Sequence, residues 1–433
     1  MEIIVHRGTN EVGGSCIEVK SSKSRIILDV GMPLFDANRR PYDSFQLRRM
    51  TKAELLTKGI IPAVPGLFEE GVAPDAILLS HAHLDHTGLL NYSQSTIPVY
   101  ASSGTSKMML AGGMYAMQVE IPRERFREIK PETPVTIGDF TITGFSVDHS
   151  IFGCLAFLIE AEGKSILYTG DLRLHGRKPG MNRRLIEVLK DKTIDVMLME
   201  GTHYGLPDGN DVNEYELEDE IVDLVRASKG IVLASFSPQH VDRLVTFIRA
   251  AKKTGRTFVA DVYTAFIMHL LRYEISLPQP KSGGLVRVYV PNSLRKSAKR
   301  SGKAKQIDRF LDSEITMTEI KKNPDQFLMV FRASMLDDFG GTLPSETKCL
   351  YSRWTGYLEQ SDWKMMSQKL DEVSGTLSEV HTSGHILSKD ITTFVNDIAP
   401  KTIIPVHTFE PHRFQEQFNN VQLLGDGETY LVN

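Results

Sequence analysis

The most chemically distinctive stretch of the sequence is SHAHLDHTG at residues 80–88. Within six residues it holds three histidines and one aspartate, namely His81, His83, Asp85 and His86. Imidazole and carboxylate are the side-chain ligands that zinc prefers. Because histidine is only 13 of the 433 residues, chance would assemble this pattern in about one such sequence in a thousand. The spacing therefore predicts a metal site and disfavours a surface histidine cluster, which has no packing role.

Further ligands are expected at the ends of other strands. Two metal ions need about three protein ligands each, with a shared carboxylate or water. His149, in SVDHSIFG, and Asp171, in ILYTGD, each follow a strand-like run. A single aspartate at a strand end more often caps a turn, but together with the first stretch these residues complete a two-metal set.

The elements that must position these residues follow from the hydrophobic pattern. Short β-branched runs bounded by turn residues predict strands at 2–6, 15–20, 25–30, 75–80, 97–100, 139–147, 154–160, 165–169 and 194–199, with a helix at 102–127. The four side chains of the first stretch would then project from a loop at the carboxyl end of a strand.

After residue 200 the pattern changes to alternating strands and helices. A strand at 230–236 is followed by Ser237-Pro238, which is typical of a helix start, and Gly255 would end that helix. A strand at 256–260 and a helix at 262–273 come next, which predicts an inserted parallel βαβ domain. Strand and helix patterns then resume at 376–382, 388–397, 402–406, 410–418 and 428–432.

Composition restricts the class of protein. With 41% hydrophobic residues, the chain can bury a sizeable core, which excludes a disordered protein. Three widely spaced cysteines, Cys16, Cys154 and Cys349, exclude a disulfide scaffold and favour a reducing compartment. No apolar run approaches the ~18 residues of a membrane span, so we expect a cytoplasmic protein with no membrane partner.

The net charge of -4 conceals one basic segment. Residues 281–309 hold nine lysines and arginines and a single acid, Asp308. Such a segment is either a solvated face or a contact for a nucleic-acid backbone. The residues expected to contact RNA are Arg295, Lys296, Lys299 and Arg300.

The order of the motifs resembles a known family. NEVGGSC, LDVG, HAHLDH, VDHS and TGD resemble the metallo-β-lactamase superfamily over nearly all of residues 1–200. Glu200 in MEGTHYG, His385 in HTSGH and His407 in IPVHT resemble the later motifs of the β-CASP nucleases, the branch that includes ribonuclease J. The resemblance implies an α/β fold: an αββα sandwich formed by residues 1–203 and 376–433, with an inserted β-CASP domain at 204–375, a parallel sheet flanked by helices. It does not cover the further C-terminal domain of ribonuclease J.

The resemblance also implies a role for each residue of the site. The cofactor would be two Zn²⁺ ions, with Mn²⁺ or Mg²⁺ as other metals that could support activity. The expected ligands are His81, His83 and His149 for the first ion, Asp85, His86 and His407 for the second, and Asp171 as the bridge. Asp85, Glu200 and His385 are the expected catalytic residues, with His385 protonating the leaving oxygen and Glu200 orienting it. Asp29 would support the ligands from behind, although a turn-capping aspartate is an alternative.

A substrate phosphate would be bound near the second domain. Serines at a strand end and beside His385 suggest a pocket formed by Ser235, Ser237, Ser383 and Gly384, with backbone N–H groups of the helix after Ser237. The alternative for Ser237 is an ordinary helix N-cap.

Together with these features, the resemblance implies a zinc-dependent ribonuclease in RNA processing or degradation that leaves 5′-phosphate products. Histidine at the last motif, His407, is typical of the RNA-processing branch and disfavours the alternative of a β-CASP DNA nuclease. A hydrolase of small esters or thioesters is disfavoured by the inserted domain. Endonuclease or 5′-exonuclease mode and homo-oligomerisation stay open.

Overall fold

The computed structural model describes residues 1–47, 49–205, 212–300 and 305–433. The chain divides into two compact units: the first is formed by Met1–Asp211 and Gly384–Asn433, the second by Val212–Ser383. The predicted boundaries at 203/204 and 375/376 therefore shift by eight residues each. The second shift has a clear cause, because the strand that begins at Thr376 pairs with a strand of the second unit.

Within the described residues the strands are, in chain order, β1 (Glu2–Arg7), β2 (Cys16–Lys20), β3 (Arg25–Leu28), β4 (Ala76–Leu78), β5 (Val99–Ala101), β6 (Phe126–Glu128), β7 (Val135–Ile137), β8 (Phe140–Ser146), β9 (Leu155–Ala161), β10 (Lys164–Tyr168), β11 (Val196–Glu200), β12 (Val232–Phe236), β13 (Thr257–Asp261), β14 (Val286–Tyr289), β15 (Phe327–Val330), β16 (Lys348–Ser352), β17 (Thr376–Glu379), β18 (Thr402–Val406) and β19 (Thr429–Leu431).

The α-helices of the same residues are α1 (Ser44–Leu47), α2 (Lys52–Thr57), α3 (Leu84–Thr87), α4 (Ser103–Ala116), α5 (Pro179–Leu189), α6 (Glu214–Ala227), α7 (Val241–Thr254), α8 (Val262–Leu270), α9 (Asn292–Arg300), α10 (Lys305–Asp308), α11 (Met317–Lys322), α12 (Ser361–Asp371) and α13 (Ser388–Ile398). Among the described residues, none of these helices has both the length and the apolar character that a membrane crossing requires.

The first unit is built on two sheets. One has the strand order β19-β1-β2-β3-β4-β5-β6 and the other the order β18-β11-β10-β9-β8-β7. Alternate side chains of both sheets, such as Val5 and Ile17 from the first and Phe157 and Ile166 from the second, share one buried core. Alternation of this kind is how two sheets pack face to face. The predicted sandwich is confirmed.

The loops that carry the predicted metal ligands follow strands that run in the same direction within each sheet. β3 and β4 are parallel neighbours, as are β10, β11 and β18. Parallel strands present their carboxyl ends at one edge of a sheet, so residues remote in sequence meet there. Two of these loops take strained left-handed backbone conformations, at Asp29 (φ 57°) and His407 (φ 53°), which functional sites often contain.

One predicted helix of the first unit is shorter than expected. α4 ends at Ala116, and residues 126–128 form β6 in place of the last turns of the predicted helix 102–127. Met117 takes the left-handed conformation (φ 52°), and the N–H of Gln118 donates to the carbonyl of Gly112 at 3.1 Å. This arrangement is a common C-terminal cap, and it stops the helix.

The second unit contains one six-stranded sheet with the order β14-β13-β15-β12-β16-β17. All its neighbouring strands are parallel, and helices connect them, which confirms the inserted βαβ pattern. The helix after β12 begins later than predicted. α7 starts at Val241 with His240 as its N-cap residue, because the His240 N–H already donates to the Ser237 carbonyl in a preceding turn. Ser237 therefore does not cap this helix.

Candidate metal centre

The histidine-rich stretch at residues 80–88 lies at the carboxyl end of β4. His81 follows the strand by three residues, and the one-turn helix α3 carries Asp85 and His86. His81 and His86 are completely buried. Because polar ring nitrogens are costly to bury without partners, the contacts of each nitrogen are informative.

The first cluster consists of His81, His83, His149 and Asp171, each with one potential ligand atom within 4.8 Å of the others. The Nδ1 atom of His83 lies 3.1 Å from His81 Nε2 and 3.2 Å from His149 Nε2. His81 Nε2 is 3.6 Å from Asp171 Oδ2. Three imidazole nitrogens thus converge beside one carboxylate.

The second cluster consists of Asp85, His86, His407 and the same Asp171. Asp171 Oδ2 lies 3.1 Å from His86 Nε2 and 3.9 Å from His407 Nε2. His407 Nε2 is also 3.2 Å from Asp85 Oδ2. Since Asp171 is common to both clusters, it occupies the position expected of a bridging ligand.

The outer nitrogens of four of these histidines are held by other groups of the protein. Their Nδ1 atoms contact Ser80 Oγ (His81, 3.0 Å), Asp29 Oδ2 (His86, 2.8 Å), the Gly384 carbonyl (His149, 2.5 Å) and Thr202 Oγ1 (His407, 2.9 Å). Each Nε2 is consequently left to face inward. In metal-ligating histidines, likewise, one ring nitrogen binds the metal and the other is hydrogen-bonded to another group.

Asp29 supports the second cluster from behind. Its carboxylate accepts hydrogen bonds from the Ser80 N–H and hydroxyl, each at 2.7 Å, and from the Tyr168 hydroxyl, also at 2.7 Å. The ring of His86 completes the set. A fully buried carboxylate with four contacts is a fixed anchor rather than a turn cap.

The unsatisfied atoms at the centre fit a bound cation. Among the described residues, Asp171 Oδ1 is buried without a hydrogen-bond partner, and Asp171 Oδ2 faces the ring nitrogens of the surrounding histidines, with His86 Nε2 at 3.1 Å. A buried ionised carboxylate that lacks donors is costly, and a divalent cation removes that cost. The donor set of imidazole and carboxylate is also the one that zinc and related metals accept.

The protonation states favour the same conclusion. Burial lowers the pKa of His83 to about 4 and holds those of His81 and His149 well below the usual range. Burial alone would raise the pKa of Asp171, but the charges of His407 and His86 outweigh it and hold that pKa well below the usual range. Neutral imidazole and ionised carboxylate are the forms that bind metal, and the three histidines of the first cluster and Asp171 are in those forms. His86 differs, because Asp171 and Asp29 outweigh burial and hold its pKa well above the usual range, so a metal at the second cluster would displace its proton.

His385 and Glu200 form a pair beside these clusters. The Nδ1 of His385 is 3.2 and 3.3 Å from the two carboxylate oxygens of Glu200 and 3.6 Å from Asp171 Oδ2. Glu200 is completely buried and also accepts the Leu172 N–H at 3.0 Å. Burial lowers the pKa of His385, but Glu200 and Asp171 outweigh it and raise that pKa to about 9. Glu200 thus favours the protonated ring and fixes the Nδ1 side of His385.

Sequence reasoning missed a buried network that joins two ligand loops. Arg173, fully buried, donates its Nε to Asp148 Oδ1 at 3.3 Å and its N–H to the Asp148 carbonyl at 2.7 Å. The side-chain amide of Asn182 donates to the Arg173 carbonyl at 2.6 Å and its oxygen accepts the Asp148 N–H at 3.2 Å. Asp148 precedes His149, and Arg173 lies two residues after Asp171. Those positions beside predicted ligands were the only sequence signal.

The residues predicted to bind phosphate and RNA lie partly in the second unit. Ser235 is buried at the end of β12, and its hydroxyl has no hydrogen-bond partner among the described residues, whereas Ser237 is exposed. Gly384 belongs to the first unit and Ser383 to the second. Arg295, Lys296, Lys299 and Arg300 are exposed on α9, and Arg295 pairs with Glu314. Lys303 of the basic segment lies outside the described residues.

Sequence comparisons match this chain to a β-lactamase superfamily domain and to proteins named ribonuclease J. A family described as "Beta-lactamase superfamily domain" matches residues 59–208. A ribonuclease J of Helicobacter pylori is 22% identical over 98% of this chain and 60% of its own length. A ribonuclease J of Mycolicibacterium smegmatis is 22% identical over 77% of this chain and 58% of its own length. An RNase J-like protein of Methanocaldococcus jannaschii is 25% identical over 60% of this chain and 57% of its own length.

The likeness in structure extends through both units. A crystal structure of a protein of unknown function from Enterococcus faecalis superposes with a TM-score of 0.76 at 21% identity, covering 99% of each chain. The protein therefore has a metallo-β-lactamase fold with buried histidine and aspartate clusters that can bind metal. Within that class it resembles ribonuclease J, and the chain spans about 60% of the length of the curated relatives named above.

Proposed function

We propose that the protein is a zinc-dependent ribonuclease that hydrolyses RNA phosphodiester bonds and leaves 5′-phosphate and 3′-hydroxyl ends. The observation that carries the proposal is the convergence of two buried ligand clusters on the unsatisfied carboxylate of Asp171. Resemblance to proteins named ribonuclease J supports RNA as the substrate.

The ligand sets are assigned as the clusters suggest. His81, His83 and His149 would hold one zinc ion, Asp85, His86 and His407 the other, and Asp171 both. When bound, the two ions would supply Lewis-acid stabilisation of the charge that develops on the phosphate and would lower the pKa of the attacking water.

His385 would be the proton donor. Glu200 occupies its Nδ1 side, so Nε2 is the atom that presents a proton to the 3′ oxygen that leaves. The buried carboxylate of Glu200 favours the protonated form of the ring, and a positioned acid of this kind contributes about 10²- to 10⁴-fold to a rate. Glu200 acts through His385 by fixing its ring and stabilising its charged form.

Substrate binding would use the residues of the second unit. Ser235, Ser237 and Ser383 are proposed to receive a substrate phosphate, and the exposed cations of α9 to contact the RNA backbone. The buried, unpartnered hydroxyl of Ser235 supports the first assignment. The second is supported by Lys296, Lys299 and Arg300, which have no ion-pair partner in the described part of the chain.

A reducing compartment is the expected location. Cys16, Cys154 and Cys349 are all buried free thiols, which supports the cytoplasm as the place where the protein acts on RNA.

Cleavage of matched oligonucleotides tests the proposed function. RNA and DNA of one sequence are incubated with the protein after metal removal, with and without added Zn²⁺ or Mn²⁺. We expect cleavage of RNA that depends on metal. Cleavage that prefers DNA, or that proceeds fully in a chelator, would contradict the proposal.

The mode of cleavage has its own experiment. A 3′-labelled RNA is prepared with a 5′-monophosphate and with a 5′-hydroxyl end, and the product ladders are compared. Release of mononucleotides that depends on the 5′ group identifies a 5′-exonuclease, whereas discrete internal fragments from both substrates identify an endonuclease.

A further inference from the structure

The two ends of the basic segment meet at one pocket in the second unit. The pocket has a volume of about 490 Å³, and we call it the α8 pocket. Its principal lining residues are His269, Arg272, Lys281, Arg309, Phe310 and Ser313. Lys281 and Arg309 are the first and last residues of the segment, 28 positions apart in the sequence, and neither was expected to lie near the other.

Hydrogen bonds hold the framework of the α8 pocket, including one from Arg272 Nη1 to the His269 carbonyl at 2.5 Å. The amide of Gln279 donates to the Met268 carbonyl at 3.1 Å, which ties the loop after α8 to that helix. On the opposite side, the Ser313 hydroxyl donates to the Phe310 carbonyl at 2.9 Å. Phe310 and Ser313, which line the pocket, are buried. The pocket is therefore preformed.

Three cations line this pocket without an acidic partner. In the part of the chain that the structure describes, Arg272, Lys281 and Arg309 form no ion pair with a carboxylate within 4.0 Å. Asp312 also lines the pocket and pairs with none of them. Elsewhere in the same segment the pattern is different, because Arg287 pairs with Glu319 and Arg295 with Glu314.

All three cations are exposed and line the same space. The Arg272 Nη1 lies 3.1 Å from His269 Nε2, and the Arg309 guanidinium lies 6.0 Å from the centre of the Phe266 ring. Burial lowers the pKa of His269, and the charges of Arg309 and Arg272 lower it further, as expected where positive charges gather without a counter-ion. Like charges held together in this way are stabilised by an anion.

We propose that the α8 pocket is a binding site for a phosphate group, carried either by a free nucleotide or by the backbone of RNA. Guanidinium groups match phosphate oxygens through paired N–H donors, and lysine adds a point charge. The volume suits a ligand of mononucleotide size. The site lies wholly within the second unit, so it stands whether or not the protein is a metal-dependent ribonuclease.

Calorimetric titration of the full chain tests the proposal. Inorganic phosphate, AMP and a short single-stranded RNA are titrated separately into the wild type and into the double variant Arg272→Ala/Arg309→Ala, with a chelator present to suppress metal-dependent cleavage. The charge-matched control is Arg226→Ala/Lys229→Ala, whose two side chains are 61% and 81% exposed on the same unit. Lys281→Glu, in an exposed turn, is a second test that removes no arginine.

The expected result is at least about tenfold weaker binding in the pocket variants, since the loss of one charge-assisted contact corresponds to roughly that factor. The control should stay within about twofold of the wild type. Loss of AMP and phosphate binding identifies a free nucleotide as the ligand, whereas loss of RNA binding alone identifies the RNA backbone. The proposal is overturned if the wild type binds none of the three probes, if the pocket variants bind as the wild type does, or if the control loses as much. Melting temperatures of all variants establish that they are folded.

Discussion

The candidate metal centre of the first unit and the basic surface of the second differ in how their charged groups are partnered. At the centre, buried imidazoles and carboxylates are held by named partners such as Asp29 and Thr202, and the atoms left over converge on Asp171. On the second unit, Lys296, Lys299 and Arg300 are exposed cations without a fixed partner among the described residues. A missing partner is costly only where water is absent. A charged atom without a partner is therefore strong evidence for a bound ligand in the buried centre and weak evidence for one on the exposed helix α9.

The largest effect is expected at the shared carboxylate. Asp171→Asn keeps the shape of the side chain but removes the charge that both clusters share, so we expect loss of metal binding and a fall in cleavage rate of at least about 10³-fold, equivalent to several kcal/mol. Metal content by mass spectrometry and the rate of RNA cleavage measure it. Glu160→Gln, whose carboxylate pairs with Lys192 at 2.9 Å, is the control. Full metal content in Asp171→Asn would show that Asp171 is not a ligand.

A smaller loss is expected at His385. His385→Gln removes the proposed proton donor, and we expect kcat to fall by about 10²- to 10³-fold while both metals are retained. The control is His412→Gln, since His412 is 60% exposed. If His385→Gln also lost one metal, His385 would be a ligand in the cluster it forms with Asp171, Glu200 and His407, and its role as acid would be wrong.

The supporting carboxylate should matter less than the ligands. Asp29→Ala leaves His86 Nδ1 without its 2.8 Å partner, and loss of such outer partners costs about 10- to 100-fold in metal affinity. Competition with a metal chelator gives the affinity, and Asp191→Ala, in an exposed turn, is the comparison. An unchanged affinity would mean that Ser80 alone orients the ring.

Glu18 is a buried carboxylate with hydrogen-bond partners, in contrast to Asp171. Burial raises the pKa of Glu18, but its hydrogen bonds to His6, Arg25 and Lys20 outweigh this and lower the pKa to about 2. Because the pKa is depressed on folding, this contribution to stability is present above about pH 4.5 and is lost as the pH falls toward 2; the loss is about 3 kcal/mol at most. The free energy of unfolding should fall less over this range in Glu18→Gln than in the wild type. Glu128→Gln, exposed on β6, should behave as the wild type does, and equal slopes in all three proteins would refute the assignment.

The smallest effect is expected on the exposed helix. Lys296→Ala/Lys299→Ala should weaken RNA binding moderately and reduce the slope of log K against log salt concentration by about 0.7 for each lysine that contacts a phosphate of single-stranded RNA. Fluorescence anisotropy at several salt concentrations measures the slope, with Arg226→Ala/Lys229→Ala as the control. Identical slopes in the two double variants would mean that α9 is only a solvated face.

The sequence by itself was sufficient for the parts of the protein that local chemistry determines. The strands of the first unit follow from alternating β-branched residues. The run from His81 to His86 predicts a metal site because imidazole and carboxylate ligands at such short spacing rarely occur together without a metal to bind. The parallel sheet of the second unit follows from the alternation of strands and helices.

Tertiary structure decided what depends on partners remote in sequence. Three arrangements have no local signal in the sequence, because each forms only when distant segments fold together. The Gly384 carbonyl orients His149, Arg173 and Asn182 join two ligand loops, and Lys281 and Arg309 line one pocket. The end of α4 and the start of α7 were misplaced for a related reason: backbone conformations at Met117 and His240 overrode the helical composition around them. Residue types thus specified which chemistry was possible, and the fold specified which nitrogen and oxygen atoms were left free to perform it.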